Sequence, residues 1–105
     1  MAEMSTTPQI RADGDGRFHL EGELSFQTVP DLLAQCEQVL QGHSGDIQVN
    51  LEGVSRSDSA GLALLVELVK INRAKGGSVT FSHVPEQMLA MASVSRLEEV
   101  LGLTA

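Results

Sequence analysis

The chain has no tryptophan and no tyrosine, and only three phenylalanines among its 105 residues. A core of stacked aromatics is therefore excluded, and the interior must be built from Leu, Val, Ile, Ala and Met. A single cysteine, Cys36, excludes an internal disulfide and suits a reducing compartment. It falls on an apolar stripe, where a thiol acts as a small core residue rather than a nucleophile. The longest apolar run, Leu62 to Val66, is far short of the roughly 20 residues that span a bilayer, so direct membrane insertion is not expected. Met1 to Gln9 lacks the basic-then-apolar order of a signal peptide. Cations are scarce too: seven Lys and Arg stand against fourteen Asp and Glu, for a net charge of −7. Such a chain repels nucleic-acid backbones and anionic membrane surfaces, which excludes both as direct ligands. A soluble cytoplasmic domain is the expectation.

Chemistry-bearing patterns are equally sparse. His19, His43 and His83 fall on a strand, a loop and a strand end, with no spacing of a metal pair and no second cysteine to help them. Gly14-Asp15-Gly16 is followed by a strand rather than a helix, and no Walker lysine motif exists. Asp58-Ser59 lacks a histidine base held by a third group. No cofactor, no metal and no catalytic residue is expected, and the protein reads as a non-enzyme.

What is present is a clean alternation of element signals. Residues 1–8 are small and polar, end in Pro8, and read as a disordered leader; residues 9–105 read as one domain. Ile10 to Ala12 is a short strand, and Asp13-Gly14-Asp15-Gly16 a turn. Arg17 to Leu24 sets Phe18, Leu20 and Leu24 on one side and His19, Glu21 and Glu23 on the other, a strand with one wet face. Thr28-Val29-Pro30-Asp31 opens a helix, with Thr28 able to cap it, and Val29, Leu32, Leu33, Cys36, Val39 and Leu40 form its stripe up to Gly42. Asp46 to Leu51 is a strand, Ser59 to about Lys75 a helix stopped by Gly76-Gly77, and Ser78 to Ser82 a further strand. Pro85 starts a helix over Glu86 to about Ser93, and Leu97 to Leu101 is a short last one. Strands alternating with helices predict an α/β layer with helices on one sheet face.

The most informative stretch is Arg56-Ser57-Asp58-Ser59-Ala60-Gly61-Leu62, a polar loop leaving a strand and entering an apolar helix. Free N–H groups and the positive end of the helix dipole gather where Ser59 stands. A serine there can cap the helix, with Asp58 or Ser57 competing for that job, or accept a phosphate, or touch a partner. The helix that follows carries surplus apolar surface. At about 100° per residue, Leu62, Leu64, Leu65, Val66, Leu68, Val69 and Ile71 cover an arc of roughly 200°, about twice what a sheet-packed helix needs. Flanking helices or a partner protein must cover the excess. Met88 and Met91 offer a second soft surface.

Three runs together, Gly22-Glu23-Leu24-Ser25-Phe26-Gln27-Thr28-Val29, Ile47-Gln48-Val49-Asn50-Leu51 and Asp58-Ser59-Ala60-Gly61-Leu62-Ala63-Leu64-Leu65, resemble the STAS domain, the fold of anti-sigma-factor antagonists. The similarity runs from about Ile10 to Leu103. It implies a single STAS domain: a mixed four-stranded sheet with helices packed on one face. Two branches of the family are open. Antagonists carry a serine, matched by Ser59, that a partner kinase phosphorylates, and more commonly show Ser-Ser-Gly where this chain has Ser59-Ala60-Gly61. The other branch, the STAS subunit of the Mla phospholipid-transport ABC complex, is similar in both the Gly22–Val29 and the Asp58–Leu65 runs and is the favoured one. The resemblance implies a non-catalytic subunit bound to the ATPase of an inner-membrane transporter that maintains outer-membrane lipid asymmetry, peripheral to that membrane through its partner. Its partner-binding residues would be Ser57, Asp58, Ser59, Ala60, Gly61 and Leu64, with Ser59 a possible phosphorylation site.

Overall fold

The alternation in Arg17–Leu24 builds the centre of the molecule. In the computed structural model, which describes residues 7–43 and 45–103, this segment is strand β2, and its neighbours are β1 (Gln9–Ala12), antiparallel, and β3 (Ile47–Asn50), parallel. The expected leader lies, for its first six residues, outside the described part of the chain. Gly14 and Gly16 turn the β1–β2 hairpin with φ of 113° and 76°, values that favour glycine. On the far side β5 (Val79–Ser82) pairs in parallel with β3.

The sheet has five strands rather than four. The additional strand, β4 (Val54–Ser57), runs parallel to the last residues of β2, matching Gly22 with Val54 and Leu24 with Ser57. Val-Ser-Arg-Ser has no alternating apolar pattern to betray it. Backbone pairing holds it instead: the Gly22 N–H donates to the Gly53 carbonyl at 2.9 Å, and the Asp58 N–H to that of Leu24 at 3.0 Å.

Helices cover one face. Phe18, Leu20 and Leu24 of β2, with Ile47, Val49 and Leu51 of the β3 segment, are buried there against α1 (Val29–Gln41), α2 (Ser59–Arg73), α3 (Glu86–Val94) and α4 (Glu98–Leu101). The other face stays polar, with His19, Glu21 and Glu23 only half-buried. Arg11 pairs with Glu21 on it at 2.9 Å, and His19 with Asp13 at 2.9 Å, which holds the Asp13 carboxyl below its usual range. The wide apolar arc of α2 is absorbed within the fold. Leu62, Leu64, Leu65, Leu68 and Val69 are buried, Val66 and Ile71 half-buried, and α1, α3 and α4 flank the helix. Cys36 is wholly buried on the inner side of α1, and desolvation pushes its thiol up to about 12, which suppresses the reactive thiolate.

Two side chains close the end of the domain opposite the start of α2. Asn72 is fully buried and donates from Nδ2 to the Gly45 and Ser78 carbonyls at 2.9 and 3.0 Å. Lys75 donates to the carbonyls of Leu40 and His43 at the C-terminal end of α1, where positive charge is favoured. With that end tied down and α2 locked in the core, the opposite end of α2 is held rigidly at the surface.

Candidate functional site

Strand β4 ends at Ser57 and α2 begins at Ser59, so Asp58 alone makes the bend. Its backbone is extended and its Oδ1 accepts the Ala60 N–H at 2.8 Å. Asp58 is therefore the N-cap of α2, a role that an aspartate carboxylate suits both as acceptor and as charge. Ser59 is the first residue of the helix and is exposed. Ser59 stands at the positive end of the helix, and its hydroxyl is not the cap.

The six residues expected to touch a partner divide sharply. Ser59 is exposed and Asp58 half-buried, whereas Ser57, Ala60, Gly61 and Leu64 are buried. Leu64, only 1% exposed, belongs to the core of the chain; sequence spacing cannot separate the inner from the outer side of so apolar a helix. Ser57 turns inward and donates from Oγ to the Asp58 carbonyl at 2.9 Å, which fixes the bend. Gly61 lies where α2 meets the ends of β2 and β4. A Cβ there would sit 2.0 Å from Ser57 Oγ and 2.8 Å from Leu24 Cβ. Glycine is thus required by close approach of helix to sheet. Gly61→Ala should destabilise the domain by about 1–3 kcal/mol through overpacking, although alanine alone favours a helix by about 1 kcal/mol. Urea titration checks this; a stabilised variant would show that the helix start floats free of the sheet.

Next to Asp58 stands the loop of residues 25–28, of which the residue pattern gives only Thr28 a role, as a cap. Thr28 does not cap α1 with its side chain. Its Oγ1 instead donates to the Glu23 carbonyl at 2.7 Å and accepts the Ser25 N–H at 2.9 Å. The Ser25 carbonyl accepts the N–H groups of Thr28 and Val29 at 3.1 and 2.9 Å, and the Phe26 N–H reaches Asp58 Oδ2 at 3.4 Å. These bonds hold Phe26 outward, 71% exposed. The signal available in the sequence was an aromatic residue falling in the break between a strand and a helix.

Two depressions flank the helix start. A polar cleft of about 100 Å³ is lined by Glu23, Ser25, Arg56, Ser57, Asp58 and Gln87. An apolar groove of about 320 Å³ runs between α2 and α3, lined by Ser59, Leu62, Gln87, Met91 and Val94 among others. None of His19, His43 and His83 lines either depression. Among the described residues no cluster of three or more His, Cys, Asp or Glu could hold a metal ion, and no helix is long and apolar enough to cross a membrane. The arrangement offers a rigid, mixed polar and apolar surface centred on one exposed hydroxyl.

A family model described as "Mlab, STAS domain" matches residues 9–103. The chain belongs to the STAS domain family. An anti-sigma-B factor antagonist of Staphylococcus aureus (strain NCTC 8325 / PS 47) is 35% identical over 82 residues, 78% of this chain and 70% of its own length. The anti-sigma factor antagonist SpoIIAA in its unphosphorylated form superimposes with a TM-score of 0.61 at 22% identity, over 86% of this chain and 82% of that one. The same fold is found in the murine anion transporter Slc26a9, with a TM-score of 0.67 and 15% identity over 84% of this chain, which spans only 15% of the transporter. The fold thus occurs both in a small anti-sigma factor antagonist and within a much longer transporter chain.

Proposed function

We propose that this STAS domain is a non-catalytic cytoplasmic subunit that docks on the ATPase of an inner-membrane ABC transporter moving phospholipid, and so helps maintain outer-membrane lipid asymmetry. The observation that carries the reading is the start of α2: an exposed Ser59 beside its capping neighbour Asp58, which also holds the loop of a projecting Phe26, on the edge of an apolar groove. Such a surface suits protein contact rather than chemistry. The Mla branch is supported by the family model's description and by the single serine of Ser59-Ala60-Gly61. The domain would act by binding the hydrolysis-competent arrangement of the ATPase more tightly than other arrangements, which shifts the population toward it. Co-expression with that ATPase should yield a stoichiometric complex whose ATP turnover exceeds that of the ATPase alone. An ATPase equally active without this chain would end the proposal.

A second reading is favoured by the 35% identical anti-sigma-B factor antagonist. Here Ser59 is the acceptor for a partner kinase, and its phosphate gains from the helix N-terminus while repelling Asp58. Binding then switches without a change of fold. Intact mass of protein taken from cells discriminates the two. A phosphorylated fraction mapped to Ser59, with a kinase that binds the unmodified form, establishes the antagonist; an unmodified chain in complex with the ATPase establishes the transporter subunit.

A further inference from the structure

We propose that Phe26 is the aromatic anchor of the docking surface and seats in an apolar socket with a cationic rim on a protein partner. The inference rests on the reading of this domain as a protein-docking subunit and names the residue and partner chemistry of that contact. Isolated apolar side chains on a surface need no explanation; three observations set this one apart. First, Phe18 is buried and Phe81 half-buried, so Phe26 is the one aromatic ring of the described residues committed to water, at 71% exposure. Second, the loop beneath it is fixed by hydrogen bonds among Ser25, Thr28 and the Glu23 carbonyl. A loop already ordered when free loses little entropy on binding, the condition under which an aromatic becomes an energetic hot spot.

Third, the loop is coupled to the start of α2. Asp58 accepts the Ala60 N–H through Oδ1 and the Phe26 N–H through Oδ2, so one carboxylate holds both the helix start and the ring's loop. Phe26 is therefore tied through Asp58 to the helix start, where Ser59 lines the groove of Met91 and Val94. Val94 is itself 85% exposed and extends the apolar contact. The charge of the socket's rim follows from complementarity. Glu23 and Asp31 flank the loop in sequence and Asp58 lies against it, while Arg56 is the basic side chain of the adjoining cleft, and the chain carries −7 overall. An anionic membrane is the poorer occupant for the same reason.

The test titrates the purified ATPase subunit of the phospholipid transporter onto the intact chain as wild type, Phe26→Ala and Phe26→Leu. The expected result is wild-type binding weakened at least about 30-fold by Phe26→Ala, the size of a hot-spot loss. Phe26→Leu should keep most of the affinity, and both variants should melt with the wild type. Equal affinity of wild type and Phe26→Ala overturns the anchor and leaves the docking reading intact. A wild type that fails to bind overturns both. A Phe26→Ala variant that melts well below the wild type overturns the claim of a free-standing ring. Sedimentation with phosphatidylglycerol–phosphatidylethanolamine vesicles that depends on Phe26, with ATPase binding unchanged, makes the ring a membrane probe and overturns the protein socket.

Discussion

Leu65→Ala should lower the unfolding free energy by about 2–5 kcal/mol, the range for truncating a fully buried leucine. Leu65 has no exposed surface, and its neighbours along α2, Leu62, Leu68 and Val69, are buried with it. Leu20, Leu24 and Val49 of the sheet belong to the same buried cluster and are equally inaccessible. With few aromatic rings available, this core depends on interlocking branched aliphatics, and such packing closes only partly over a hole. Against a typical total of about 5–15 kcal/mol for a domain, the loss leaves the protein marginal. Leu65→Met should cost less than about 1.5 kcal/mol because volume is conserved. Urea unfolding of the pair, with an unchanged slope, checks both values. A Leu65→Ala variant losing under about 1 kcal/mol would show that α2 is not the central helix of the core. Leu64, at 1% exposure, belongs in the same class. Its truncation should weaken partner binding only through the fold, so that lowering the temperature restores the contact.

Much of this architecture was legible because apolar spacing and burial coincide. β2 occupies the predicted Arg17–Leu24, and α1 and α2 begin at Val29 and Ser59, directly where the stop and start signals stand. The failures share a cause: they concern features made by backbone pairing or by position rather than by pattern. β4 carries one half-buried valine and is specified by the edge of β2 it completes, so no periodicity announces it. The competition for the α2 cap could not be decided from residue types, since Ser57, Asp58 and Ser59 all accept hydrogen bonds. It was decided by β4, which pins Asp58 through its backbone N–H to Leu24 and leaves that carboxylate beside Ala60. The site shows the same limit. Gly61 reads as one small residue among several in the motif, yet its role is the 2.8 Å approach of its missing Cβ to Leu24 Cβ, a distance no sequence displays. Phe26 is a further case: residue type does not tell its side, and the hydrogen-bonded loop turns it outward.

Ser59→Glu should keep a near-native Tm and lose the partner. The fold tolerates the change because Ser59 is exposed at the first position of α2, where a carboxylate interacts favourably with the helix N-terminus by about 0.3–1 kcal/mol. Repulsion from Asp58 offsets part of that gain, and the net change in stability should stay within about 0.5 kcal/mol. Ser59→Ala should be as mild, since Asp58 rather than Ser59 supplies the cap bond to Ala60. Binding responds differently. The partner's cationic rim is matched to Glu23, Asp31 and Asp58, so a further, bulkier carboxylate beside the Met91–Val94 groove would be desolvated on docking without a cation of its own. Breaking or omitting one half of a buried charge pair costs about 3–5 kcal/mol, which corresponds to a loss of affinity beyond about 100-fold. Thermal melts and titration with the ATPase subunit on the same three proteins separate contact from fold. Wild type and Ser59→Ala should bind and melt alike, and Ser59→Glu should melt with them yet fail to bind. Retention of wild-type affinity by Ser59→Glu would move the contact away from the helix start.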